Sequence, residues 1–156
     1  MKWKNHALVA GSIATFMGLH PAEIAYCMAA SGLPDSMEMI GKTRIIAHRT
    51  WTHELLLWLA PMAICIMFPH IIPEYLIPEH LMRSLGGRHG YLTLRTWVLF
   101  LPGALHLVGD VMTPKGIRVA GKNIALGLFS TGQPLEYIIA ALFAALAVLY
   151  KSGLTG

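Results

Sequence analysis

The chain has 156 residues, of which 55% are hydrophobic and 13% charged, with a formal net charge of +4. An ordinary soluble domain carries about 25% charged residues, so this composition excludes a disordered chain, and the length excludes a multidomain enzyme. The two cysteines, Cys27 and Cys65, lie in apolar runs and exclude a disulfide scaffold.

What remains is an all-α bundle, read as a small integral membrane protein with one domain over residues 1–156. The Lys and Arg residues sit at the ends of apolar runs rather than in a stripe. That is the pattern of membrane flanks and not of a nucleic-acid surface, so membrane lipids are the expected partners. The eight histidines equal all the Asp and Glu together.

The first apolar stretch, His6 to Leu33, is interrupted at Gly18-Leu19-His20-Pro21. Proline disfavours helix at the residue before it, and Pro-Ala-Glu is a good helix start. The sequence therefore predicts two helices, about Asn5–Met17 and Pro21–Ser31. Each is about 18 Å long, too short for a hydrocarbon core of about 30 Å. As a hairpin they return the chain to the side where it began.

Gly32 to Thr52 is polar, and Thr50 or Thr52 suits the N-cap of the next helix. Leu55–Ile72 is a transmembrane candidate, with Pro61 as a kink and Pro69 near its end. Pro73 to Arg88 is a polar connection with a short interfacial helix around Glu79–Leu85. A third helix is expected over Tyr91–Met112, apolar except for Arg95, His106 and Asp110. Thr113 to Gln133 is a connection with an apolar patch, Ile124–Phe129. The last helix, Pro134–Tyr150, is apolar apart from Glu136 and has almost no polar face. The predicted fold is a short-helix hairpin followed by about three longer membrane helices.

This topology sorts the polar residues. His6, Asp35, His48 and His53 fall on one side, the Tyr91–Met112 helix returns His106 and Asp110 to it, and Glu136 starts the last helix there. Lys2, Lys4, Lys42, Arg44, Arg49, Lys115, Arg118 and Lys122 lie on that side, against Arg83, Arg88, Arg95 and Lys151 on the other. The positive-inside tendency puts the site side in the cytoplasm.

His106 and Asp110 stand at i and i+4, so one ion can touch both. A capped helix end with a hydrogen-bonded His is the plainer reading of this pair. His48 and His53 flank a loop-to-helix junction, where one can ligate a metal and the other orient or titrate, or where Arg49 and Trp51 simply meet headgroups. Asp35 with Glu38 fits a capping box. Glu136 fits a carboxylate favoured by the helix dipole, and His6 alone fits a structural histidine. Together, three or four His with two or three carboxylates suit zinc, manganese or iron, and a carboxylate can bridge two ions.

The ordered motifs resemble a LexA-regulated, inner-membrane family described as metal-dependent hydrolases. The resemblance rests on His6-Ala-Leu-Val-Ala-Gly11, Leu33-Pro34-Asp35 and His48-Arg49-Thr50-Trp51-Thr52-His53-Glu54. It continues with His106-Leu-Val-Gly-Asp110 followed by Thr113-Pro114-Lys115-Gly116, and with Gly132-Gln-Pro-Leu-Glu136. Where the family reads Leu-Pro-Asp-x-Asp-His, this chain has Met37 and Glu38. Thr50 replaces a Gly, and Glu54 a Ser. His-x-x-Gly-Asp followed by Pro is also similar to a motif of zinc-dependent phospholipases C and single-strand-specific zinc nucleases. That likeness implies Asp110 as a bridging ligand, with His106, Asp35 and His6 as terminal ones.

The resulting expectation is a multi-pass bacterial inner-membrane hydrolase of membrane-presented phosphoesters. Its metal ligands would be drawn from His6, Asp35, His53, His106, Asp110 and Glu136. Its catalytic groups would be His48, His53, Arg49 and Asp35, and Arg49 and Lys115 would bind the phosphate. Two other classes fit the same residues. One is a membrane metalloprotease or amidase, although His53-Glu54 is followed by Leu55-Leu56-Leu57 and not by a second His. The other is a non-enzymatic scaffold with a structural metal site, in a larger complex or a homo-oligomer.

Overall fold

The structure is a computed structural model that describes residues 1–40, 43–44, 51–74 and 94–153. The described residues are mostly helical and include two small antiparallel two-stranded sheets. Helix α1 spans Trp3–Phe16 and α2 spans Pro21–Ala30. They form the predicted antiparallel hairpin, broken at Gly18, which takes a φ of 67°. Pro21 opens α2, and the His20 ring and the Glu23 carboxylate cap it reciprocally. A short helix α3, Leu33–Ser36, follows at once and carries Asp35 back to the level of α1's first turn.

Strands β1, Met39–Ile40, and β2, Thr43–Arg44, pair next. A 3-10 turn at Trp51–His53 leads into α4, Leu55–Met67, which runs away from that end. Glu54, not Thr52, is the N-cap residue of α4. Thr50 lies outside the described residues. Helix α4 stops at Met67 rather than Ile72 because Phe68 leaves the helical region (φ −122°, ψ 55°) just before Pro69. The interfacial helix expected at Glu79–Leu85 lies outside the described residues.

The helix expected at Tyr91–Met112 is divided. Its described part is a 3-10 turn, Thr96–Leu99, then α5, Leu101–Val111. Pro102 explains the break, since it lacks an N–H and sits at the start of α5, where no intrahelical partner is needed. Val111 is followed by strands β3, Ile117–Val119, and β4, Lys122–Ile124. Their turn uses positive φ at Ala120 (50°) and Gly121 (78°), as a two-residue hairpin turn requires. Glu54 fixes this turn to the start of α4 by accepting the Ala120 N–H at 2.7 Å. Helix α6, Pro134–Lys151, closes the chain.

Helix α1 packs against α2, α5 and α6, while α4 packs on α5. The core is built from small and aliphatic residues: Ala10, Ala14, Cys27, Val98 and Leu105 between the hairpin and α5, and Trp58, Ala104 and Leu107 between α4 and α5. Gly103 permits that second contact, because a Cβ there would lie 2.1 Å from the Trp58 ring. At the far end of the bundle, Arg95 grips buried Glu23 through Nε and Nη2 at 2.8 and 2.7 Å. This ties the start of α2 to the approach of α5.

Helix α6 buries only Glu136, Ala140 and Ala147, a single stripe at helical spacing. Leu135, Ile138, Leu142, Leu146 and Val148 are all exposed. Among the described residues α6 is the one helix long and apolar enough to cross a membrane.

Candidate metal centre

The ends of α1, α3, the Trp51–His53 turn and α5 meet at one end of the bundle. They bring His6, Asp35, His53, His106 and Asp110 together. Asp110 Oδ2 lies 3.2 Å from His53 Nε2 and 3.5 Å from His106 Nε2. Asp110 Oδ1 lies 3.5 Å from His6 Nε2. Asp35 Oδ1 is 3.5 Å from His53 Nε2 and 3.9 Å from His106 Nε2. His6 and His106 stack with ring centroids 3.9 Å apart. All three imidazoles and Asp110 are buried, and Asp35 is half-buried.

The polar groups behind the rings fix which nitrogen faces inward. His106 Nδ1–H donates to the Ser31 carbonyl at 2.7 Å across 75 positions of sequence, which turns Nε2 toward the cluster. The Thr52 hydroxyl donates to Glu38 Oε1 at 2.5 Å. His53 Nδ1 sits 3.0 Å from that hydroxyl and 3.2 Å from the same carboxylate oxygen. Trp58 Nε1–H donates to the Thr52 carbonyl at 2.9 Å and holds the turn.

Thr52 and Ser31 carry no motif that marks them as partners of the histidines, and Glu38 carries only a departure from one. The one available signal was the departure at Glu38, which puts a carboxylate where the resembled family has His. The capping box expected from Asp35 and Glu38 is replaced by Glu38's contacts to Thr52 and His53.

The donor set fits a divalent transition metal. Three imidazoles and two carboxylates are the ligand types of zinc, manganese or iron. His6 Nδ1, His6 Nε2 and His106 Nε2 are buried and make no hydrogen bond among the described residues, an expensive arrangement unless an ion completes it. The ligand-type atoms of His6, His106 and Asp110, and those of Asp35, His53 and His106, lie within 4.8 Å of one another. Two ligands held about 2.1 Å from one tetrahedral ion stand about 3.4 Å apart. The contacts at Asp110 have that spacing.

Charge tuning favours a cation at Asp35 and sets a proton against it at His53. Burial opposes ionisation of Asp35, but the hydrogen bond to His53 and the charge of His106 hold its pKa down to about 2. Burial also opposes protonation of His53, yet Asp110 and Asp35 raise its pKa to about 9. Without metal the ring therefore keeps its proton at neutral pH, and an ion at Nε2 must displace it. Zinc affinity should thus strengthen by about tenfold per pH unit from 7 toward 9, read by competition with a chelator. Affinity that is flat over this range would refute the assignment of His53 as a ligand.

Gly109 sets the approach of α1 to α5. A Cβ there would lie 2.7 Å from His6 Nδ1. Gly109→Ala should push His6 off the cluster and lower metal affinity by about 10–100-fold, the range for lost positioning contacts. Unchanged affinity would mean that His6 is no ligand.

Glu136 is not brought to the cluster. Its Oε1 accepts the Lys2 backbone N–H at 2.5 Å and Asn5 Nδ2–H at 2.6 Å, and its Oε2 accepts the Gly132 N–H at 2.5 Å. It clasps the first turn of α1 to the start of α6. His48 and Arg49 lie outside the described residues.

A cavity of about 410 Å³ opens beside the cluster, lined in part by Asp35, Asp110, Thr113, Lys115, Ser130 and Thr131. Thr113 is anchored by donating its hydroxyl to the Asp110 carbonyl at 2.8 Å. Comparison with protein-family models, curated proteins and solved structures returns no match for this chain.

Proposed function

We propose that the chain is a membrane-embedded, metal-dependent hydrolase acting on a phosphoester presented at the bilayer surface, such as a phospholipid. The observation that carries this reading is the meeting of His6, Asp35, His53, His106 and Asp110 beside a cavity that also holds Lys115. The resemblance to inner-membrane metal-dependent hydrolases supports it. In this reading α4 and the α1–α2 hairpin are embedded beside α6 as a multi-pass bundle, although each is shorter than a full span. The cationic side chains Lys2, Lys4, Lys115, Arg118 and Lys122 cluster at the site end, which supports a cytoplasmic site.

His6, His53, His106 and Asp110 would hold the ion, with Asp35 as a further ligand. When bound, a divalent metal lowers the pKa of water toward 7 and polarises a phosphoryl oxygen. Asp35 lines both the cluster and the cavity, so its carboxylate can orient a water there by accepting a hydrogen bond. Lys115 offers the cavity a positive charge for the phosphate. Arg49 would add bidentate recognition, and His48 would protonate the leaving group. A lysine on the cavity wall favours an anionic phosphoester over a neutral peptide bond. The adjoining cavity likewise favours a catalytic site over a closed structural one.

The test is metal content and turnover of the purified protein in lipid nanodiscs, on a panel of phospholipids and peptides. Bound zinc, manganese or iron is expected, together with phosphoester cleavage that His106→Ala abolishes. Protein without transition metal, or a His106→Ala variant as active as wild type, would overturn the reading.

A further inference from the structure

The connection from α5 to α6 carries an apolar run that the metal centre does not use. Ile124, Leu126 and Leu128 are 47%, 62% and 52% exposed. They alternate in sequence, and the run is pinned to the end of α5 at alternate amides: Leu126 N–H donates to the Val111 carbonyl and Leu128 N–H to that of Met112, each at 2.7 Å. Three aliphatic side chains are thus held outward on a fixed backbone. The next residue, Phe129, is buried in a cluster with Val9 and Ala140. Ala140 lies about 9 Å along α6 from Pro134. The run therefore rejoins the bundle alongside the apolar part of α6, not beyond its end.

Charge is placed to match. Lys115 and Arg118 line a shallow groove on the β3–β4 hairpin, and Lys122 is exposed on the same hairpin. Aliphatic side chains next to cations are the composition of an interfacial element on an anionic bilayer. Trp3 and Trp51, at the same end of the bundle, are 61% and 47% exposed, as expected of indoles at headgroup depth.

We infer that the β3–β4 hairpin and the Ile124–Leu128 run form an interfacial anchor. It inserts into the headgroup layer of an anionic bilayer on the membrane face to which the metal centre opens. Lys115 borders both the groove and the cavity, so a headgroup held by the anchor lies next to the site. The inference rests on the reading of α6 as membrane-embedded and not on the hydrolase reading.

The experiment places a nitroxide on the full chain at Leu126→Cys or Leu128→Cys, with Leu142→Cys on α6 as the reference. A Cys65→Ser background leaves buried Cys27 in place. Labelled protein is reconstituted in phosphatidylcholine vesicles with or without phosphatidylglycerol, and collisions with oxygen and with a water-soluble nickel chelate are compared. All three positions should be reached by oxygen and shielded several-fold from nickel. At 126 and 128 the shielding should deepen with phosphatidylglycerol and be lost in Arg118→Glu/Lys122→Glu. Nickel access at 126 and 128 with shielding at 142 would overturn the anchor while leaving α6 in the membrane. Nickel access at all three positions would overturn both. Shielding from both reagents at 126 and 128, whatever the lipid, would mean that protein covers the run, and would also overturn the anchor.

Discussion

Under the proposed metal-dependent hydrolase reading, Asp110→Ala should abolish metal binding and lower phosphoester turnover by at least about a hundredfold, the upper range for loss of a positioning partner alone. Both oxygens of Asp110 are engaged by the cluster: Oδ1 faces His6, while Oδ2 faces His53 and His106. Among the described residues, Asp35 reaches His53 and His106, whereas Asp110 reaches all three rings. The loss of this carboxylate also leaves His6 without its carboxylate neighbour and only Asp35 to offset a cation at the cluster. The site should empty while the helices remain folded, because the aliphatic contacts of α5 through Leu101, Leu105 and Leu107 are untouched. Metal analysis and circular dichroism on one preparation check both halves. Wild-type metal content in folded Asp110→Ala would sink the metal centre as described.

Glu136→Ala should instead destabilise the fold by about 1–3 kcal/mol, the cost of leaving the buried Asn5 amide without its acceptor. Three donors, from Lys2, Asn5 and Gly132, converge on this one carboxylate. The Lys2 and Gly132 N–H groups are only partly buried, so water can replace their acceptor at smaller cost. The first turn of α1 would then loosen from α6, and with it the backbone that carries His6. Unfolding midpoints in detergent measure the effect, and metal stoichiometry of the folded fraction separates two roles for the residue. A variant of wild-type stability that has lost its metal would make Glu136 a ligand and overturn its role as a clasp.

These two acidic residues mark the boundary of what was legible in the chain. Both were candidate ligands, since both are carboxylates near helix ends on one side of the bundle. His106 and Asp110 could be paired because four residues on a helix is one turn, a spacing that local geometry enforces. Glu136 has a local donor only for Oε2, the Gly132 N–H four residues before it, and the packing of α1 on α6 decides that the Lys2 N–H and the Asn5 amide, not an ion, occupy Oε1. The same holds for Glu38. Its sequence spacing from Asp35 suggested a cap, but the Trp51–His53 turn folds over it and redirects it to Thr52 and His53.

The sequence by itself determined the short-helix hairpin, because the break at Gly18 to Pro21 is a property of the local backbone. It likewise placed the start of α6 at Pro134. It overestimated the continuity of two helices, since apolar composition masked the local effects of Phe68 and Pro102. Only the tertiary structure decided which ring nitrogens face inward and which carboxylates meet them. The physical reason is range. Dihedral preferences and helical periodicity act over a few residues, whereas the contact from Ser31 to His106 exists only after close-packed helices have set the depth and rotation of each ring.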